Sequence, residues 1–250
     1  MSEKLKFDMT QMYDRQPFKV NDDITIYQPS VRDIIRFGEI KFYNQVLIPF
    51  VTNPTSHRVM LWDKGIDWNK ISDFELFTSL YKTLPPGSTQ LIFGNFTFEG
   101  YEPYISKIGD KESIVLWNQS TDKLITEDDY NIFSQYIRTL FNIFPKRERI
   151  IGKDIKEDVI KEDRIAQKLH ENDEEKPFLL PLISACMNHP GFKYKYEDLD
   201  SLGIFCFMDS VERLQVYESS IALLHGAYGG FVDTSKMDRT EMNFMRSIDK

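Results

Sequence analysis

Apolar side chains recur along the chain at intervals that change from strand-like to helical near Ser30. The segment ITIYQ (24–28) alternates apolar and polar residues as a half-buried strand does, and Pro29 ends it. Ser30 and Asp33 then have the spacing of a capping box, in which each side chain accepts the other residue's backbone N–H. The helix predicted to follow ends at Pro49. Its apolar face consists of Ile34, Ile35, Phe42 and Val46.

Two more helix starts follow this first helix. Asparagine caps helices well and proline is tolerated at the first helical position, so Asn53 and Pro54 predict a helix that Gly65 ends. Ser72 and Glu75 form a second capping box. The helix that it opens stops at a Pro-Pro-Gly sequence. Its apolar residues are Phe74, Phe77, Leu80 and Tyr81.

Residues 89–117 change character, because short segments rich in aromatic and β-branched residues replace the helical spacing. The segments QLIFGNFTF and SIVLW predict two or three antiparallel strands joined by turns. Thr126 and Asp129 then form a third capping box and open another helix. The apolar residues of that helix are Tyr130, Phe133, Ile137 and Phe141.

The segment 146–176 is highly charged and carries only a thin apolar stripe at helical spacing. That stripe consists of Ile151, Ile155, Val159, Ala166 and Leu169. The pattern predicts a mostly solvated helix that links two parts of the chain, and the alternative is an arm that binds a partner.

The C-terminal part is predicted to be helical again. FLLPLISACM forms one helix, and a longer segment follows that the glycines Gly226, Gly229 and Gly230 break. A last short helix is predicted from Arg239 to Ile248. The longer segment has one continuous apolar face, formed by Ile204, Met208, Val211, Leu214, Tyr217, Ile221 and Leu224.

Together these patterns predict an α+β fold that is predominantly α-helical, with a small antiparallel β-sheet in the N-terminal half. We divide the chain into an N-terminal arm (1–22), which a partner is expected to order, a helical part with the small sheet (23–145), the charged linking helix (146–176) and a C-terminal helical part (177–250). A chain of 250 residues with 41% hydrophobic residues can bury such a core without disulfides or metals.

The net charge of −8 argues against a nucleic-acid partner, because proteins that bind the phosphate backbone need clustered lysine and arginine. No run of about 18 apolar residues occurs, so we expect no membrane-spanning segment. The N-terminus also has no apolar stretch of the signal-peptide kind. Both cysteines lie within apolar segments, which fits buried free thiols in a reducing compartment.

The stretch WDKGIDWNKISDFELF (62–77) combines three aspartates, a glutamate and two tryptophans, and is the segment most like a site of chemistry. Its glycine lies between the first two aspartates, which does not fit a calcium loop. Asp73 and Glu75 are two residues apart, so on a helix they point to different faces and do not easily share a metal or a proton. We expect both to stabilise the helix start through the helix dipole.

Other catalytic patterns are weak. The four histidines are scattered and lack zinc-site spacing, and no phosphate-binding glycine loop precedes a helix. Cys186 and His189 are three residues apart, which suggests either a thiol nucleophile with its base or a core cysteine beside a helix-end histidine. We favour the second interpretation and expect no catalytic residue, no metal and no cofactor.

Three segments in this order resemble proteins from the tail gene cluster of long-tailed bacteriophages of Gram-positive hosts, in particular the tail assembly chaperone. They are ITIYQPSVRDIIRFGEIKFY, NPTSHRVMLWDKGIDWNKISDFELF and DSVERLQVYESSIALLHGAYGGFVDTSKMDRTEMNFMRSI. The resemblance implies a non-enzymatic, helix-rich protein of the host cytoplasm that covers the apolar helices of the tape-measure protein until the tail tube polymerises. It implies no catalytic residues.

Two other classes remain open on the sequence. A structural virion protein, such as a tail or connector component, would share the gene neighbourhood and much of the composition, and an enzyme would need polar residues that converge only in the fold. For a partner-binding surface we select the aromatic residues near predicted helix ends, Trp62, Trp68, Tyr228 and Phe231. Aromatic residues at such positions also fit a place in the core.

Overall fold

The structure is a computed structural model that describes residues 5–108, 111–231 and 238–248. The described residues form an α+β fold that is predominantly helical, as the sequence predicts, with two small antiparallel sheets. Among the described helices, none combines the length and apolarity needed to cross a lipid bilayer.

The elements follow in chain order. The helices are α1 (Met9–Tyr13), α2 (Val31–Phe37), α3 (Glu39–Lys41), α4 (Ile48–Val51), α5 (Arg58–Asp63), α6 (Asp73–Leu80), α7 (Gln90–Phe93), α8 (Glu127–Phe141), α9 (Lys153–Leu169), α10 (Leu179–Asn188) and α11 (Ile204–Tyr228). The strands are β1 (Phe18–Lys19), β2 (Thr25–Ile26), β3 (Tyr101–Ile108), β4 (Lys111–Asn118) and β5 (Lys123–Ile125). A π-helical segment covers Phe42–Leu47, and short 3-10 turns cover Pro54–His57, Tyr81–Thr83, Tyr196–Asp200 and Arg239–Met242.

All three predicted capping boxes are confirmed, and each opens a helix. The pairs that begin α2 and α6 have both reciprocal hydrogen bonds, and at α8 Thr126 accepts the Asp129 N–H while Asp129 accepts the Thr126 N–H. Asn53 likewise accepts the Ser56 N–H before the turn that leads into α5. These interactions span only three residues, and this short range makes them visible in the sequence.

The first predicted helix is not continuous. Gly38 adopts a φ of 99° and separates α2 from α3, a conformation that glycine reaches without steric cost. Pro49 was predicted to end the helix but lies inside α4, which continues to Val51. Pro49 lies in the first turn of α4, directly after the π-helical segment, and a proline is tolerated at a helix start because its missing N–H is not needed there.

The prediction of a strand in QLIFGNFTF was wrong, because residues 90–93 form the short helix α7. Ile92 and Phe93 are both buried there, and the Ile92 carbonyl accepts the N–H of Tyr27 beside β2. Tertiary contacts therefore override the strand propensity of this segment. The strand predicted from SIVLW is confirmed within β4, which pairs with both β3 and β5 in one three-stranded antiparallel sheet.

One large hydrophobic core joins both sides of the predicted linker. Phe42 and Phe141 from the N-terminal part share it with Leu179, Phe205 and Phe207 from the C-terminal part. The segment from residue 146 to 176 therefore does not separate two cores, and its helix α9 is shorter than the segment. At the other end of α11, Gly226 lies inside the helix, which ends before Gly230 with its φ of 73°.

The N-terminal arm is packed on the body from residue 5 onward, contrary to the expectation that a partner orders it; residues 1–4 lie outside the described residues. Met12 is buried in the core. The buried side chain of Gln28 donates to the Met12 carbonyl at 2.8 Å and accepts the Phe205 N–H at 3.2 Å. A side chain at Gly203 would collide with Gln28 Oε1, so the glycine makes this close approach possible.

Candidate functional site

The acidic stretch 62–77 is a packing surface for α9. Asp67 accepts two hydrogen bonds from Lys156 Nζ, at 2.8 and 2.7 Å, and this ammonium lies 5.2 Å from the centre of the Trp68 ring. The hydrogen bond from Lys156 is the main cause that lowers the pKa of Asp67. Asp63 pairs with Arg164, also on α9. Two acids of the stretch therefore pair with basic side chains of α9.

The third aspartate of the stretch joins α6 to α8. Asp73 accepts from Arg138 at 3.0 Å and also pairs with Arg147. Arg138 donates to the carbonyls of Val51 and Thr52 as well, so one guanidinium connects three segments. Asp73 lies in the first turn of α6, where its charge also favours the helix dipole as predicted.

The two tryptophans of the stretch belong to a small second core. Trp68 is only 2% exposed and packs with Leu61, Leu76 and Ile160 of α9. Trp62 is half-buried at the edge of this cluster, with its ring centroid 5.9 Å from that of Trp68. The position of Trp68 does not fit the predicted partner surface, because a partner cannot reach its side chain without opening the core.

The other two aromatic residues of the predicted surface lie at the end of α11 and point to solvent. Tyr228 is 86% exposed and Phe231 is 91% exposed. These positions leave both rings available to a partner, and their role stays a prediction. Large apolar side chains at such exposure are common at interaction sites when they cluster.

An open groove of about 960 Å³ lies along α11. The loop after α10 and the C-terminal segment, residues 238–248, form its other walls. Its apolar lining includes Phe192, Leu214, Tyr217, Ile221 and Phe244. We call this feature the α11 groove. The first half of the predicted apolar face of α11 is buried in the core, and the second half lines the α11 groove.

The C-terminal segment is fixed to α11 by specific hydrogen bonds. Ser220 donates to the Glu241 carbonyl at 2.7 Å, and Arg213 donates to the Arg246 carbonyl at 2.7 Å. The rings of Tyr217 and Phe244 meet edge to face with centroids 5.6 Å apart. The wall that this segment forms is therefore an ordered part of the groove.

A polar pair lies at one end of the α11 groove, in which Asp209 is buried and Tyr13 is 46% exposed. Tyr13 donates its hydroxyl to the carboxylate of Asp209, which Arg213 approaches to 3.9 Å. Burial, followed by the interaction with Asp209, raises the pKa of Tyr13. The phenol thus keeps its proton and connects α1 to α11, which is a structural role.

His189 forms the second polar feature of the groove. Its Nδ1 accepts the Gly191 N–H at 2.9 Å, so a neutral imidazole carries its proton on Nε2, which lies 3.1 Å from Glu218 Oε1. Cys186 is buried, and burial raises the pKa of its thiol. Cys186 and His189 therefore fit the predicted core cysteine and helix-end histidine. Within the described part of the chain, no group of acids, histidines and cysteines could hold a metal ion.

Sequence analysis did not locate this groove, because its walls come from segments far apart in the chain. The one signal was the length of the apolar face of α11, which continues past the part that the core covers. The chain matches no protein-family model, and neither curated proteins nor solved structures give a match to it.

Proposed function

We propose that this protein is a non-enzymatic chaperone of bacteriophage tail assembly, which binds apolar helices of a tape-measure protein in the host cytoplasm. The partner and the location come from the resemblance of the three sequence segments. The observation that carries the binding role is the α11 groove, where an apolar helix face that continues from the core lies open to solvent.

The chemistry of the groove suits a helix of another protein. An amphipathic helix binds by placing its apolar side chains into a groove of apolar and aromatic side chains. Tyr217 and Phe244 supply aromatic surface, and Arg213 and Glu218 supply charges of both signs at its sides. Tyr228 lies further along the same helix and extends the apolar surface.

The test is co-expression of the protein with the tape-measure protein encoded beside it. The chaperone role predicts that the tape-measure protein stays soluble, and that Tyr217→Ala together with Ile221→Lys lowers the soluble fraction several-fold. Tyr104→Ala is the control for the tyrosine substitution. Tyr104 lies on β3, away from the groove, and its exposed fraction is 54%, against 41% for Tyr217. Equal solubility with and without the protein would contradict the role.

The second candidate is a structural virion protein, which would share the gene neighbourhood and much of the composition but predicts a different location. Mass spectrometry of purified virions distinguishes the two, because a chaperone is left out of the finished particle and a tail component is present at fixed stoichiometry.

A further inference from the structure

Helix α9 has two faces with different environments. Its inner face packs on the second core, where Ile160 is buried and Lys156 and Asp163 pair with Asp67 and Arg58. Its outer face carries large apolar residues that the described structure leaves in solvent. Their exposed fractions are 58% for Ile155, 60% for Ile165 and 74% for Leu169, and Ile151 just before the helix is 78% exposed.

These residues form one continuous strip. At about 100° per residue, Ile155, Val159, Ile165, Ala166 and Leu169 fall within an arc of roughly 120° on the helix surface. The strip runs from Ile155 to Leu169, the last residue of α9, so it is about 21 Å long. A solvated linker does not need such a strip, because the inner face alone holds α9 on the body.

The charges within the strip are both negative. Asp158 and Glu162 lie inside the arc, and Asp154, four residues before Asp158, lies roughly 20° beyond its edge. By the same geometry the basic residues of α9 lie outside the arc. Lys161, beyond the edge of the arc, places its Nζ 2.9 Å from Asp158 Oδ1. A surface that would cover this strip must therefore be apolar and also carry positive charge.

A second copy of the chain that pairs through its own α9 does not meet this requirement. Residue 160 is the midpoint between Asp158 and Glu162, so antiparallel pairing of two α9 helices around it places acids against acids. Parallel pairing places each acid against its own copy. Like charges across an interface oppose association in both arrangements.

We propose that the outer face of α9 binds an amphipathic helix of another protein whose apolar face is crossed by lysine or arginine residues. The inference rests on the proposed function in so far as that function makes the protein a binder of helices. It adds a second contact surface, separate from the α11 groove, and gives the charge of the segment that binds there.

Two synthetic peptides test the charge requirement. Both are stapled, fluorescein-labelled helices of 18 residues with leucine at the apolar positions, and they differ in having three lysines or three glutamates across the apolar face. Fluorescence anisotropy is expected to give a roughly ten-fold lower Kd for the lysine peptide. Equal affinity for the two peptides would overturn the proposal.

Variants of α9 locate the binding. Glu162→Lys is expected to remove the preference for the lysine peptide, and Ile165→Asp to weaken both peptides roughly ten-fold. Glu157→Lys is the matched control, since it makes the same charge change on the same helix but outside the strip. Circular dichroism verifies that each variant is folded. An unchanged preference in Glu162→Lys, or binding that only Tyr217→Ala weakens, overturns the proposal.

The same experiments separate this inference from the proposed function. If the tape-measure protein stays insoluble on co-expression but the lysine peptide binds α9, the proposed function fails and the α9 surface stands. If co-expression keeps the tape-measure protein soluble, and Ile165→Asp changes neither that solubility nor peptide binding, the proposed function stands and the α9 surface fails. A dimer in sedimentation equilibrium that Ile165→Asp abolishes would assign the strip to a second copy and overturn the proposal.

Discussion

Lys156 and Asp67 form a two-pronged ion pair that holds α9 on the body of the protein, with both carboxylate oxygens within 2.8 Å of the ammonium. Both side chains are mostly shielded from solvent, unlike the other lysine pairs on α9. Because partly buried ion pairs with good geometry contribute more than exposed ones, this contact and the equally shielded Arg58–Asp163 pair are expected to supply most of the polar attachment of α9.

Lys156→Met tests this attachment. The change keeps the apolar stem of the side chain over Trp68 but removes the charge, so the free energy of unfolding should fall by about 1–2 kcal/mol. Urea denaturation measures the loss, and hydrogen exchange should show faster exchange in α9. Lys153→Met is the control, because Lys153 is exposed and should change stability by less than about 0.5 kcal/mol. Equal losses in the two variants would contradict the prediction.

The same pair predicts loosening of α9 in acid. The pKa of Asp67 lies below its ordinary value of 3.8, because Lys156 stabilises the charged carboxylate. The stabilisation is therefore fully present above that ordinary value and is lost as the pH falls through the lower pKa of the folded state. Tryptophan fluorescence in a Trp117→Phe background follows the change at Trp62 and Trp68. Asp67→Asn should lack this component of the acid transition, and an identical transition in both proteins would refute it.

Replacement of aromatic residues should separate the core from the surface. Trp68→Ala leaves a cavity in the second core and should lower the free energy of unfolding by about 3–5 kcal/mol. Tyr228→Ala and Phe231→Ala remove exposed rings and should change stability by less than about 0.5 kcal/mol. Thermal denaturation of the three variants provides the comparison. A stable, well-folded Trp68→Ala protein would argue against the burial of this ring.

Tyr13→Phe tests the contact between α1 and α11. The variant loses the hydrogen bond to Asp209, and the free energy of unfolding should fall by about 1 kcal/mol. Limited proteolysis should show earlier cleavage within the first 20 residues, because α1 is held less firmly. Tyr104→Phe, at an exposed tyrosine, is the control. Unchanged proteolysis in Tyr13→Phe would mean that the apolar contacts of Met12 alone hold the segment.

Local features were determined by the sequence alone. The capping pairs of Ser30, Ser72 and Thr126 each involve residues three apart, so the start of a helix depends on neighbours that the sequence shows directly. The predominantly helical α+β class follows from the sum of such elements. The apolar face of α11 was also visible, although its division between core and groove was not.

Only the tertiary structure decided which residues meet. Lys156 and Asp67 are 89 residues apart in the chain. Their charges are paired only because the fold packs α9 on the stretch 62–77. The helix at residues 90–93 and the packed N-terminal arm likewise depend on distant partners, Tyr27 and Gln28. The physical reason is that local patterns determine which elements form, whereas burial against residues distant in the chain determines which of their faces stay open to a partner.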